Sequence, residues 1–86
     1  DLVYMINLYH ELHEPTRMLQ ETRRLLKKEG TLLIIDWKKN GGGKGPSEEI
    51  RVPVETVKAQ METTGFHDVR QYAVLKYHYF LTGTAA

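Results

Sequence analysis

The sequence predicts an α/β fold with the element order β-α-β-α-β-β. Two uninterrupted apolar runs, Leu2 to Leu8 and Leu32 to Ile35, flank a stretch of helical periodicity, and a second helical stretch precedes two runs rich in Val, Tyr and Phe. At 86 residues, 41% hydrophobic and 27% charged, the chain reads as one small globular domain with no second domain.

Leu2 to Leu8 is apolar along nearly its whole length and reads as a strand covered on both faces, the kind that lies inside parallel sheets. Such a strand needs neighbours and covering helices that the chain supplies only in part, so the sequence predicts a fragment of a larger domain. Pro15 suits a first helical position, and Met18, Leu19, Thr22, Leu25 and Leu26 recur at helical spacing through Lys27 and Lys28. Those lysines complement the negative end of the helix dipole, and Gly30 is placed to close the helix in the left-handed conformation. Thr31 to Asp36 is the second apolar strand, so residues 1–36 form a β-α-β unit with parallel strands.

Residues 38–49 carry four of the seven glycines without apolar periodicity and are expected to form a flexible loop. Pro53 opens a second helix, with Val54, Val57 and Met61 as a narrow stripe and Gly65 as its stop, while Val52 at the expected cap position has no side-chain oxygen. Val69 to Leu75 and Tyr77 to Thr82 read as a hairpin around Lys76.

Composition excludes several classes of function. A net charge of +1 gives no electrostatic footprint for nucleic acid. The absence of cysteine removes disulfides and thiolate zinc sites and fits a cytoplasmic location. No apolar run reaches the ~18 residues of a membrane span. His10 and His13 stand three apart in a turn before Pro15, not four apart on a helix as in zinc proteases, so no metal is predicted. Gly41-Gly42-Gly43-Lys44-Gly45 lacks the Ser or Thr that would follow the lysine of a phosphate-binding loop.

The run Asp1-Leu2-Val3-Tyr4-Met5-Ile6-Asn7-Leu8-Tyr9-His10-Glu11-Leu12-His13-Glu14-Pro15, followed by Leu25-Leu26-Lys27-Lys28-Glu29-Gly30-Thr31-Leu32-Leu33-Ile34-Ile35-Asp36, resembles the second half of a class I S-adenosylmethionine-dependent methyltransferase. Within that class it looks like the quinone-biosynthesis-type group: Arg24, Leu26, Lys27 and Gly30 fit the group's Arg-x-Leu-Lys-x-Gly-Gly phrase, with Glu29 departing from the first glycine. Asp36-Trp37, Gly45-Pro46, Pro53, Gly65-Phe66 and Tyr77-His78-Tyr79 continue in the family's order. The resemblance implies a Rossmann-like half-domain over residues 1–86, mostly parallel, with an antiparallel last strand and the sheet order first, second, fourth, third. It also implies a parent enzyme that transfers a methyl group from S-adenosylmethionine to a small molecule. The family's Gly-x-Gly-x-Gly turn and the acid that binds the ribose would lie upstream of Asp1, so tight cofactor binding by this chain alone is not expected and the chain alone is expected to be inactive.

Asn7, Leu8, Tyr9 and His10 end the first strand on the edge where open α/β sheets bind ligands. By resemblance Asn7, Leu8 and Tyr9 would line the methionine end of the cofactor, with His10 turned to the acceptor as a candidate general base. The alternative is that Asn7 satisfies loop backbone groups and His10 a helix start. Asp36 and Trp37 end the second strand on the same edge: Asp36 could orient the acceptor, and Trp37 reads equally as stacking on a flat acceptor or as an indole covering the sheet end. The open edge of the first strand predicts a homo-oligomer, a homodimer for instance, or pairing with a separate amino-terminal half. A non-catalytic interaction module is the rival reading.

Overall fold

A computed structural model describes residues 1–39, 42, 43 and 45–86. The strands are β1 (Leu2–Ile6), β2 (Thr31–Trp37), β3 (Phe66–Gln71) and β4 (His78–Ala85), and the helices are α1 (Pro15–Leu25) and α2 (Val54–Thr63). They form a single four-stranded sheet in the order β1-β2-β4-β3. β1 runs parallel to β2, and β4 runs antiparallel to both of its neighbours. This is the expected order, and the antiparallel last strand is where the resemblance put it.

Register decides which side chains share a face. Val3 and Met5 lie opposite Leu32 and Ile34, and Ile34 and Asp36 lie opposite Leu81 and Tyr79, so these side chains all project to one side. Leu19 and Leu26 from α1 and its carboxyl cap, and Val57 and Met61 from α2, pack onto that side and complete the core with Tyr9 and Phe66. Burying each such side chain contributes roughly 1.5–3 kcal/mol.

The other side of the sheet is open. Leu2, Tyr4 and Ile6 are 57%, 65% and 53% exposed, and Leu33, Ile35 and Phe80 beside them are half-buried. Both helices lie on the same face, so the chain covers its first strand only in part, as the apolar run implies; β1 itself stops at Ile6, two residues short of Leu8.

Further corrections concern element ends. α1 finishes at Leu25, before Lys27 and Lys28, and Met18 and Leu25 point to solvent while Leu19, Thr22 and Leu26 are buried. The left-handed residue that closes this turn is Glu29 (φ 69°), not Gly30. Gly30 is required for a different reason: a Cβ there would stand 2.9 Å from the Lys27 carbonyl oxygen and 3.0 Å from a Leu26 methyl. In α2 the cap position is Pro53 instead of Val52, and neither residue offers an oxygen. β3 begins earlier than the sequence indicated, at Phe66, and the hairpin connection spans 72–77 because Tyr77 precedes β4. Of the loop 38–49, residues 40, 41 and 44 lie outside the described residues, and the rest is held around Arg51. Its guanidinium donates to the carbonyls of Pro46 (2.9 Å), Gly42 (2.8 Å) and Lys38 (3.2 Å) and lies 5.1 Å from the Trp37 ring centroid.

Candidate active site at the carboxyl edge of the parallel strands

β1 and β2 end side by side, and the amide of Asn7 still donates to the Ile35 carbonyl at 2.8 Å. Asn7 then takes a left-handed backbone (φ 56°), a conformation asparagine tolerates better than other side-chain-bearing residues, and this turns the chain out of the sheet. A single 3-10 turn follows over Tyr9–Glu11. Asn7 and Leu8 are left exposed on the edge. Tyr9 is turned inward, its ring buried and its hydroxyl donating to Oε1 of Gln60 on α2. Burial raises the Tyr9 phenol above the ordinary tyrosine range, so it stays protonated.

The turn brings His10 onto Asp36. Asp36 is 1% exposed, and its carboxylate accepts from the His10 amide (2.7 Å) and the Trp37 amide (2.8 Å). Nδ1 of His10 lies 2.9 and 3.1 Å from the two carboxylate oxygens. A carboxylate only accepts, so Nδ1 donates to Asp36 and Nε2 is the ring nitrogen left outside the pair. Nε2 faces Oε2 of the exposed Glu11 at 3.6 Å. The arrangement gives an imidazole held through Nδ1, with a buried anion able to stabilise the imidazolium formed when Nε2 takes a proton.

Trp37 does not share this site. Successive residues of a strand face opposite sides, so Trp37 packs on the open side, its ring centroid 4.1 Å from that of His78 and its six-membered ring against Gly45. A Cβ on Gly45 would come within 2.2 Å of the indole. The sequence reading assigns no site role to Gln60, which lies outside any motif, or to Tyr79, which stands in the Tyr77-His78-Tyr79 match; the fold sets Gln60 against Tyr9 and Tyr79 opposite Asp36.

Residues 1–34 match the model of a methyltransferase domain family. A SAM-dependent methyltransferase from Aquifex aeolicus superposes with a TM-score of 0.91 at 34% identity, over 100% of this chain and 46% of that one. The fold is that of the Rossmann-like methyltransferases. A protein assigned to the type 11 methyltransferases, from Sulfolobus solfataricus, matches this methyltransferase fold with a TM-score of 0.83 at 26% identity, over 99% of this chain and 49% of that one. PigF with SAH, at 14% identity and a TM-score of 0.81, covering 100% of this chain and 30% of that one, shows the likeness of fold alone. No curated protein matches the sequence significantly. The chain spans a little under half the length of the first two structures. The likeness in sequence and fold is to S-adenosylmethionine-dependent methyltransferases, and it spans part of their length. Among the described residues no helix is long and apolar enough to cross a membrane.

Proposed function

We propose that residues 1–86 are the carboxyl-terminal half of a methyltransferase that methylates a hydroxyl oxygen of a small molecule, with His10 as the general base. The observation that carries this reading is the His10–Asp36 pair at the carboxyl edge of two parallel strands. S-adenosylmethionine, when bound, supplies a methyl group activated by a sulfonium. Asn7 and Leu8, exposed at the end of β1, fit one wall of its pocket, and the glycine turn and ribose acid would come from a preceding half. The buried Tyr9 would contribute backbone at most. His10 accepts the proton at Nε2 as the acceptor oxygen attacks, Asp36 holds the ring, and alignment supplies much of the rate. The likeness to the quinone-biosynthesis-type group rests on the phrase from Arg24 to Gly30, and the absence of cysteine supports a cytoplasmic setting.

His10→Asn tests the role. It keeps a donor for Asp36 and removes the basic nitrogen. In the full-length protein, transfer of labelled methyl to hydroxylated small molecules should fall by about 10²–10⁴, the usual worth of a positioned base. Unchanged turnover with the best acceptor would return His10 to a helix-start role.

The open sheet face favours a second reading, an interaction module that completes its sheet with another chain or a second copy. Micromolar binding of S-adenosylmethionine or S-adenosylhomocysteine to the 86-residue chain would count against it and against the two-half site alike.

A further inference from the structure

A cleft of about 310 Å³ opens where the chain leaves β2 and enters α2, and one of its lining residues, Tyr79, is the cross-strand partner of Asp36. Lys38, Lys39, Val54, Glu55, Gln71 and Tyr79 are among the residues that line it. The volume suits a small ligand.

Tyr79 is the unexplained group. It is 1% exposed, and among the described residues its hydroxyl is the one buried side-chain polar atom without a hydrogen-bond partner. Buried hydroxyls are nearly always paired, so an orphan on a residue that lines a cleft offers a donor to a ligand there. Burial, and then the negative charge of Asp36, raise its phenol above the ordinary range. It therefore stays neutral and can donate.

The surroundings specify the partner. Lys38 and Lys39 outweigh Glu55 by one charge, and the Lys39 ammonium, 3.3 Å from the Glu49 carbonyl, stays at the rim. Val54 and Glu55 are the first residues of α2, a ten-residue helix whose cap, Pro53, makes no side-chain hydrogen bond. The first amides and the positive dipole end of such a helix favour an anion. One surplus charge, amide donors and a neutral hydroxyl suit a monoanionic oxygen acid.

We propose that this cleft binds a carboxylate, and that it is the carboxylate of the methyl acceptor, which makes the acceptor a hydroxylated carboxylic acid. Only the second part rests on the methyl-transfer reading. Register supports the link: Tyr79 is the cross-strand partner of Asp36, so the residue that would receive the acid stands directly opposite the one that holds His10. One small molecule can then present its hydroxyl to Nε2 and its carboxylate to Tyr79.

Titration of the ¹⁵N-labelled full chain with 4-hydroxybenzoate and with its neutral isostere 4-hydroxybenzamide tests this. The acid should bind saturably and shift amides of Lys38, Lys39, Val54, Glu55 and Gln71, and the amide should bind about tenfold more weakly or not at all. Tyr79→Phe should weaken the acid without lowering the melting temperature, because it removes a hydroxyl with no partner among the described residues. Equal binding of acid and amide, shifts centred elsewhere, indifference to Tyr79→Phe, or no saturable binding would each overturn the proposal. Should the full-length protein transfer no labelled methyl from S-adenosylmethionine to any hydroxylated acid while acid binding still follows Tyr79, the carboxylate site stands and the methyl-transfer reading falls.

Discussion

Asp36 accepts hydrogen bonds from two backbone amides and one imidazole, and no other residue type of its size can do so. In Asp36→Asn one of those donors must meet an amide NH₂. The variant should lose about 1–3 kcal/mol of stability, the cost of an unsatisfied buried polar group, and should release the His10 ring, lowering turnover more than acceptor binding. Denaturant melts and the split between kcat and KM check both. Tyr9 and Tyr79 make a second prediction. In the unfolded chain tyrosines titrate near about pH 10, whereas burial raises both in the fold. Below that pH both states hold the protons and stability is fully present. Above it only the unfolded chain releases them, so stability falls as pH rises. Tyr79→Phe should flatten this alkaline loss in melts between about pH 8 and pH 11, and an unchanged slope would refute the cause. His10 and Asp36 are each legible in the sequence as strand-end residues. Their pairing is not, because 26 residues separate them and only the parallel register of β1 and β2 brings them together.

The helices and strands were legible wherever periodicity was strong, and less so where an element meets a turn. The stripe on α1 is real, but a helix lying on a sheet buries a narrower face than the positions Met18, Leu19, Thr22, Leu25 and Leu26 suggest. Leu19→Ala should therefore cost about 2–5 kcal/mol and Met18→Ala very little. The same contrast runs along β2. An all-apolar strand does not reveal which alternate set is covered, yet Leu32 is fully buried and Leu33 half-open, so Leu32→Ala should be the costlier change in a denaturant series. The glycine-rich connection gave no hint that Arg51 gathers three of its carbonyls, since a lone arginine between Ile50 and Val52 matches no pattern. Arg51→Ala should cost about 1.5–3 kcal/mol and speed tryptic cleavage after Lys38 and Lys39.

For the whole molecule, the sheet order followed from the resemblance, and the partial cover of β1 followed from its apolar run. Continuous apolar runs such as Leu2 to Ile6 mark strands meant to be covered twice, and this chain lays both helices on one face. The consequence is a contiguous open surface: Leu2, Tyr4 and Ile6 of β1 next to Leu33 and Ile35 of β2 and Phe80 of β4. Among the described residues the outer edge of β1 also has no strand beside it. Exposed apolar surface next to an unpaired edge favours association, because a second chain can cover the first and hydrogen-bond the second. Light scattering should therefore show the 86-residue chain associating as its concentration rises through the micromolar range. Tyr4→Lys and Ile6→Lys place charges on the open side of β1 without touching the core beneath α1 and α2. Each should shift the chain toward monomer at an unchanged melting temperature measured in dilute solution. A wild-type monomer throughout that range would mean that this face does not drive self-association, and would leave pairing with a preceding half as the use of the open sheet.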